Sequence, residues 1–316
     1  MNFRKIASLV LLSGAALVGP LSAQELNLGL VSVSSTASLR QAWEPLVADL
    51  NKATGLNVSL FFATNYAGII DGMKDGKVQI AYMGNKSAIE AVDQSGGVVF
   101  AQAVAADGSL GYTSHLIAHV NSPINDVKDV LKNAKTLSYG NGDLDSTSGY
   151  LVPEYFIYSK DGIDTKTAFR SARNQNHEAN ALAVANKQVD IATNNSQNLA
   201  KIKDKFPEKF KDIKVIWTSP LIPLDPLVMR KDLAPAVAAK LKTFFFSYGS
   251  DERERGILAK IEGTKSFKES SDKQLIPVRQ LGLFSDRNKV VANASLSDSD
   301  KKAQLAAIDA KLKALQ

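Results

Sequence analysis

The sequence contains no cysteine. That excludes thiol nucleophiles, thiolate metal sites and disulfide staples, and it leaves no N-terminal cysteine to carry a lipid. Histidine is nearly absent: only His115, His119 and His177 occur. None of them stands at the paired helical spacing of a zinc protease. No Gly-x-Ser-x-Gly elbow is present, which removes the commonest serine-hydrolase signature. Beyond residue 23 no apolar run is long enough to cross a bilayer. Basic residues exceed acidic ones only modestly, 38 against 32. They form no block interleaved with aromatics, so nucleic acid is not an expected partner. Internal repeats and low-complexity tracts are also missing.

What is present begins with an export signal. Arg4 and Lys5 form a basic start, residues 6–18 an apolar run, and Leu21, Ser22 and Ala23 a small-residue cleavage site before Gln24. Gly14 and Gly19 interrupt the apolar run, which is too short for a convincing anchor. A soluble, exported protein is therefore expected, cleaved after Ala23 and located in the periplasm. Losing Arg4 and Lys5 takes the net charge from +6 to +4. The remaining chain is long enough for about two domains with cores that need no staples.

Strand and helix patterns alternate along it. Residues 26–33 read as a strand, and Leu39, Trp43, Leu46, Val47 and Leu50 recur at helical spacing before Gly55. Residues 56–62 and 78–83 read as strands. Between them runs a helix carrying Ile69, Ile70 and Met73, stopped near Gly76. Another helix starts after Gly84. Alternation of this kind predicts a parallel sheet covered on both faces. In the second half, residues 113–120, 189–193, 214–217 and 227–230 read as strands. Residues 125–132, 150–158, 178–185, 234–246 and 300–315 read as helices, with Pro153 tolerable only in a first turn. The expected architecture is two α/β lobes, residues 24–119 with 220–316 and residues 120–219. Two connections, near 112–120 and 219–230, cross between them. A cleft hinged on two such connections is a natural ligand site.

The most informative stretch is residues 136–153, a strand end, a glycine-bearing turn and a helix start. Ser146, Thr147 and Ser148 fall where the helix begins. Hydroxyls there cap free backbone N–H groups. The same N–H groups, with the positive end of the helix dipole, also suit an anion. An ordinary cap and an oxyanion site both fit these residues. Asp143, Asp145, Thr147 and Glu154 fall at ligand positions of a calcium loop, but Ser148 stands where that loop needs glycine. His115 and His119 share a strand face and read as packed or rim residues. His177 opens a helix, where it can donate to an anion or sit at a surface turn. Asp225 lies on a crossing segment near Pro223 and Pro226, able to face a cation or to close a turn. Tyr66 and Tyr112 adjoin turn residues and can line a pocket or simply pack.

Taken together, Tyr66-Ala-Gly-Ile-Ile, Gly84-Asn, Gly111-Tyr, Gly140-Asn-Gly-Asp-x-x-Ser-Thr-Ser-Gly, His177-Glu-x-Asn-Ala-Leu-Ala, Ala192-Thr-Asn-Asn and Ser219-Pro-Leu-Ile-Pro-x-Asp-Pro resemble the phosphonate-binding proteins of phosphonate ABC importers. The resemblance spans nearly the whole exported chain. It implies a two-lobed periplasmic binding protein of type II, without catalysis, cofactor or metal. Such a protein hands alkylphosphonates such as 2-aminoethylphosphonate to a membrane permease. It further implies that Ser146, Thr147, Ser148 and His177 hold the phosphonate oxygens, with Tyr66, Tyr112 and Asp225 around an amino end. The family's amine site resembles two carboxylates, at the positions of Gln197 and Asp225. Here one is the neutral Gln197, which predicts weaker binding of an amino ligand than in relatives with Glu. Tyr82 and Met83 replace a pair of aromatics before Gly84. Another phosphorus oxyanion (phosphite, phosphate or a phosphate ester) is the alternative cargo.

Overall fold

The computed structural model describes residues 25–316, so the expected signal peptide and its cleavage site lie outside the described residues. The chain lays down β1 (Glu25–Leu30), β2 (Asn57–Phe62), β3 (Ile80–Tyr82) and β4 (Gly97–Ala105). It leaves through the two-residue β5 (Gly111–Tyr112). A second sheet follows: β6 (Ser114–His119), β7 (Ser138–Asn141), β8 (Ser171–Asn174), β9 (Ile191–Asn195) and β10 (Ile213–Thr218). The chain returns through β11 (Ile222–Pro223) and completes the first sheet with β12 (Pro226–Arg230) and β13 (Thr264–Glu269). The strand orders are β13-β4-β12-β3-β1-β2 and β10-β6-β9-β7-β8, with β5 and β11 pairing alone between them. This is a two-lobed binding-protein fold of type II, and β5 and β11 are its crossover connections. By pairing, β6 belongs to the second sheet, earlier than the boundary expected at residue 119.

The first helix shows why the local patterns were readable. Ser35 caps it by accepting from Ser38 N at 3.2 Å. Leu39, Trp43, Leu46, Val47 and Leu50 are all buried over the sheet, and Gly55 ends it at φ +66°. That left-handed angle suits glycine. At the other end, Leu305, Ile308, Leu312 and Leu315 form the half-buried stripe of the Asp298–Ala314 helix, which packs on the Ile276–Ala292 helix.

Two departures matter for the site. First, neither main sheet is all parallel. β1, β2 and β3 run parallel, but β12 runs antiparallel to both β3 and β4. β12 enters from the other lobe, so its start lies beside the end of β3, with Leu227 opposite Tyr82. Asp225, one residue before β12, is thereby delivered to the cleft edge of the first sheet. Second, Pro153 does not lie in a first turn. The helical run starts at Thr147, and π-helical segments Thr147–Leu151 and Glu154–Tyr158 flank Val152 and Pro153. Proline cannot supply the amide that Gly149 O would accept in an α-helix. Instead Gly142 N donates to Gly149 O at 3.0 Å, and Leu151 N reaches back to Ser146 O at 3.1 Å. The wider turn thus ties the preceding loop to the helix start. A Cβ on Gly142 would lie 2.4 Å from the Gly149 carbonyl carbon, so this contact needs glycine.

Candidate functional site

The two lobes meet along one polar seam. From the second lobe, Ser146, Thr147 and Ser148 are buried at the helix start, and His177 is buried as the first residue of the His177–Ala185 helix. The Asn176 side chain caps that helix, and Asn194 Nδ2 donates to His177 O at 2.8 Å, so the His177 backbone is fixed at the helix start. From the first lobe, Tyr66 opens the Tyr66–Lys74 helix behind the Asn65 cap. Tyr112 comes from β5 and Asp225 from the return crossing; all three are buried. Gln197, on the Ser196–Lys205 helix, is half-buried at the edge.

The hydroxyls share one arrangement. Ser146 Oγ accepts from Gly149 N at 2.9 Å. Thr147 Oγ1 accepts across the seam from Lys86 N at 2.8 Å. Ser148 Oγ accepts from Asn195 Nδ2 at 3.1 Å. A hydroxyl has one hydrogen to give and two lone pairs to receive. Each of the three therefore receives an N–H from the protein and keeps its own hydrogen for another acceptor. Ser146 thus caps the helix and still has its own hydrogen to give.

Burial sets the protonation states around them. It pushes His177 down to about 4, so the imidazole is neutral near pH 7 and its Nδ1 has no partner. Nε2 lies 3.4 Å from Ser148 Oγ. Burial also raises Tyr66, Tyr82 and Tyr112 well above the usual phenol range, keeping them neutral donors. For Tyr66, nearby Asp225 and Asp143 add to that rise and a hydrogen bond with Ser146 opposes it. For Tyr112, Asp225 adds to the rise and Ser148 opposes it. Asp225 is itself raised well above the ordinary carboxylate range, by burial first and Glu262 second, while a Tyr112 hydrogen bond lowers it. Its Oδ1 is buried without a partner.

Other candidates from the sequence have structural work. Asp143 accepts from Asp145 N at 2.9 Å and, across the seam, from Tyr66 N at 3.1 Å. Asp145 pairs with Lys86 at 2.8 Å, and Glu154 pairs with Lys289 at 3.1 Å. These carboxylates therefore hold the loop, the other lobe and the C-terminal helices rather than converging. His115 bonds Thr113 and Thr218, and His119 accepts from Asn121 N, as packed residues do. Gln197 Nε2 donates to Glu262 O at 2.7 Å. Glu262 and Lys201 were not singled out in the sequence, and Asn195 entered only as the end of the Ala192-Thr-Asn-Asn pattern. The one local mark on Glu262 is the Gly263 that follows it, a turn signal that says nothing of where the carboxylate points.

A family model described as ABC transporter, phosphonate, periplasmic substrate-binding protein matches residues 28–275. The phosphonates-binding periplasmic protein of Escherichia coli K12 is 48% identical over 99% of this chain and 94% of its own length. The phosphate-import protein of Mycolicibacterium smegmatis is 29% identical over 70% of this chain and 71% of its own. Among solved structures, a binding-protein component of an ABC phosphonate transporter from Pseudomonas aeruginosa superposes with a TM-score of 0.90. It is 48% identical, with 92% of this chain and 96% of that one covered. The chain belongs to the periplasmic phosphonate substrate-binding proteins of ABC transporters, a family that binds and delivers rather than catalyses.

Proposed function

We propose that this protein captures an alkylphosphonate between its lobes and delivers it to an inner-membrane permease. In this reading export removes residues 1–23, and the two lobes, divided near residues 113 and 220, close on the ligand. Three successive buried hydroxyls that each accept an N–H, and so each keep a hydrogen to donate, are the observation that carries the reading. A doubly charged headgroup placed at the Thr147 end of the helix meets those hydrogens and the positive end of the helix dipole, without a lysine or arginine. His177 adds a ring nitrogen. Tyr66, Tyr112 and Asp225 surround the organic tail, and 2-aminoethylphosphonate is the ligand whose ammonium suits the Asp225 side.

Closure follows from differential affinity. Thr147 with Lys86, Tyr66 with Asp143 and Gln197 with Glu262 join the lobes only when these meet. A ligand that touches both sides adds to those contacts and shifts the population toward the closed form. Isothermal titration with 2-aminoethylphosphonate, ethylphosphonate, phosphite and phosphate tests the assignment. Tightest binding by a phosphonate supports it; tightest binding by phosphate or phosphite overturns it. The similarity to a phosphate-import protein makes inorganic phosphate the competitor of most interest.

A further inference from the structure

Glu262 is one of two non-glycine residues among the described ones with positive φ, at +52°, and Gly263 follows at +67°. An acidic side chain in left-handed backbone is a strained arrangement that surrounding contacts must maintain. Here the contacts come from the other lobe. Gln197 Nε2 donates to the Glu262 carbonyl at 2.7 Å, and one turn further along the same helix Lys201 Nζ meets Glu262 Oε1 at 2.5 Å. So held, Glu262 lines a narrow cavity with Leu30, Trp43, Tyr82 and Asp225. Two polar atoms at that cavity are buried and unpartnered: Asp225 Oδ1, on a residue 8% exposed, and Tyr82 Oη, on a residue 5% exposed. The Tyr82 ring packs against Trp43, centroids 5.1 Å apart, which keeps the wall apolar.

We propose that Glu262 is the second carboxylate of the tail pocket and, with Asp225, selects a ligand carrying a primary ammonium. This rests on the phosphonate reading above and refines which phosphonate is taken. Burial and the neighbouring Glu262 hold Asp225 well above the ordinary carboxylate range, so a ligand ammonium placed beside the two carboxyls supplies the countercharge that favours the ionised form of Asp225. That attraction acts in a low-dielectric setting, where it counts for more than in water. The neutral Gln197 does not remove amine selectivity, because its amide positions the Glu262 turn while Glu262 carries the charge.

Titration of 2-aminoethylphosphonate and ethylphosphonate into wild type, Glu262→Gln and Lys201→Gln tests this. In Glu262→Gln the preference for the amino ligand falls by about tenfold or more, the size of a lost charge-assisted hydrogen bond. Measurable ethylphosphonate binding shows that the variant is folded. In Lys201→Gln the preference is kept or rises, because a competing cation is gone and the carboxylate stays. An unchanged preference in Glu262→Gln overturns the inference. So does an equal loss in Lys201→Gln, since Glu262 would then act only as half of an inter-lobe ion pair. Wild type that binds neither phosphonate defeats the underlying reading instead, and that outcome is distinct from both.

Discussion

Replacing Ser146 by alanine separates the two duties of one hydroxyl. In the protein without ligand, its Oγ accepts from Gly149 N at 2.9 Å in a buried setting. Removing a cap of this kind, with its amide left unpaired, costs about 1–2 kcal/mol. For a chain of this size that lowers Tm by roughly 2–3 °C. The ligand-bound form loses more, because a hydrogen bond to a charged group is worth about 1.5–3 kcal/mol, or roughly 10- to 100-fold in Kd. Thr147→Val is the companion variant. It keeps the side-chain shape, leaves the Ser146 cap untouched, and removes the hydroxyl that accepts from Lys86 N at 2.8 Å. Scanning calorimetry of the free proteins, followed by titration with 2-aminoethylphosphonate, reads both quantities. Ser146→Ala should lose thermal stability and affinity, and Thr147→Val mainly affinity. If both variants bind within about twofold of wild type while Ser146→Ala melts earlier by the expected amount, the hydroxyls are caps and lobe contacts only. The oxyanion reading would then be refuted.

Two further predictions follow from the same site. His177 is held near 4 against an ordinary histidine value of 6.5, so the unfolded chain binds a proton between those values that the folded chain refuses. Relative to His177→Gln, wild type should lose about 3 kcal/mol of stability as pH falls from 7 to below 4. Denaturant melts across that range check it, and a pH-independent difference contradicts it. The raised carboxyls of Asp225 and Glu154 act with the opposite sign but are common to both proteins, so they cancel in the comparison. Gly149→Ala sets a Cβ 2.8 Å from Ser146 Oγ, 3.0 Å from His177 Cε1 and 3.1 Å from Gly142 Cα. Overpacking of this kind typically costs about 1–3 kcal/mol. Here the atoms that must move are those proposed to grip the ligand, so titration should show at least a tenfold weaker phosphonate complex. Unchanged affinity would mean that the loop yields without disturbing the hydroxyls.

Near-neighbour chemistry is why much of this protein was readable before any coordinates. Apolar spacing in Leu39–Leu50 and the αL requirement at Gly55 set the first helix, and Ser146 was recognisable as a helix-start residue. The motif set from Tyr66 to Pro226 carried the family, because seven separated patterns agreed on it. Elements without a local signature were not foreseen. β13, with the sequence Thr-Lys-Ser-Phe-Lys-Glu, is a polar edge strand whose one partner among the described residues is β4, far away in sequence. The direction of β12 was equally illegible, since it depends on the chain returning from the second lobe.

Sequence alone, then, determined which residues start helices, which bury, and that three adjacent hydroxyls stand at one helix end. Only the folded chain decided what each hydroxyl accepts from and that Pro153 sits within a π-widened helix. It also decided that Glu262 and Asp225 line one cavity. The reason is distance along the chain: caps and periodicity are settled within a few residues. The partners of Thr147, Ser148 and Glu262 lie 61, 47 and 61 residues away, and they meet only when two sheets and two crossings are in place.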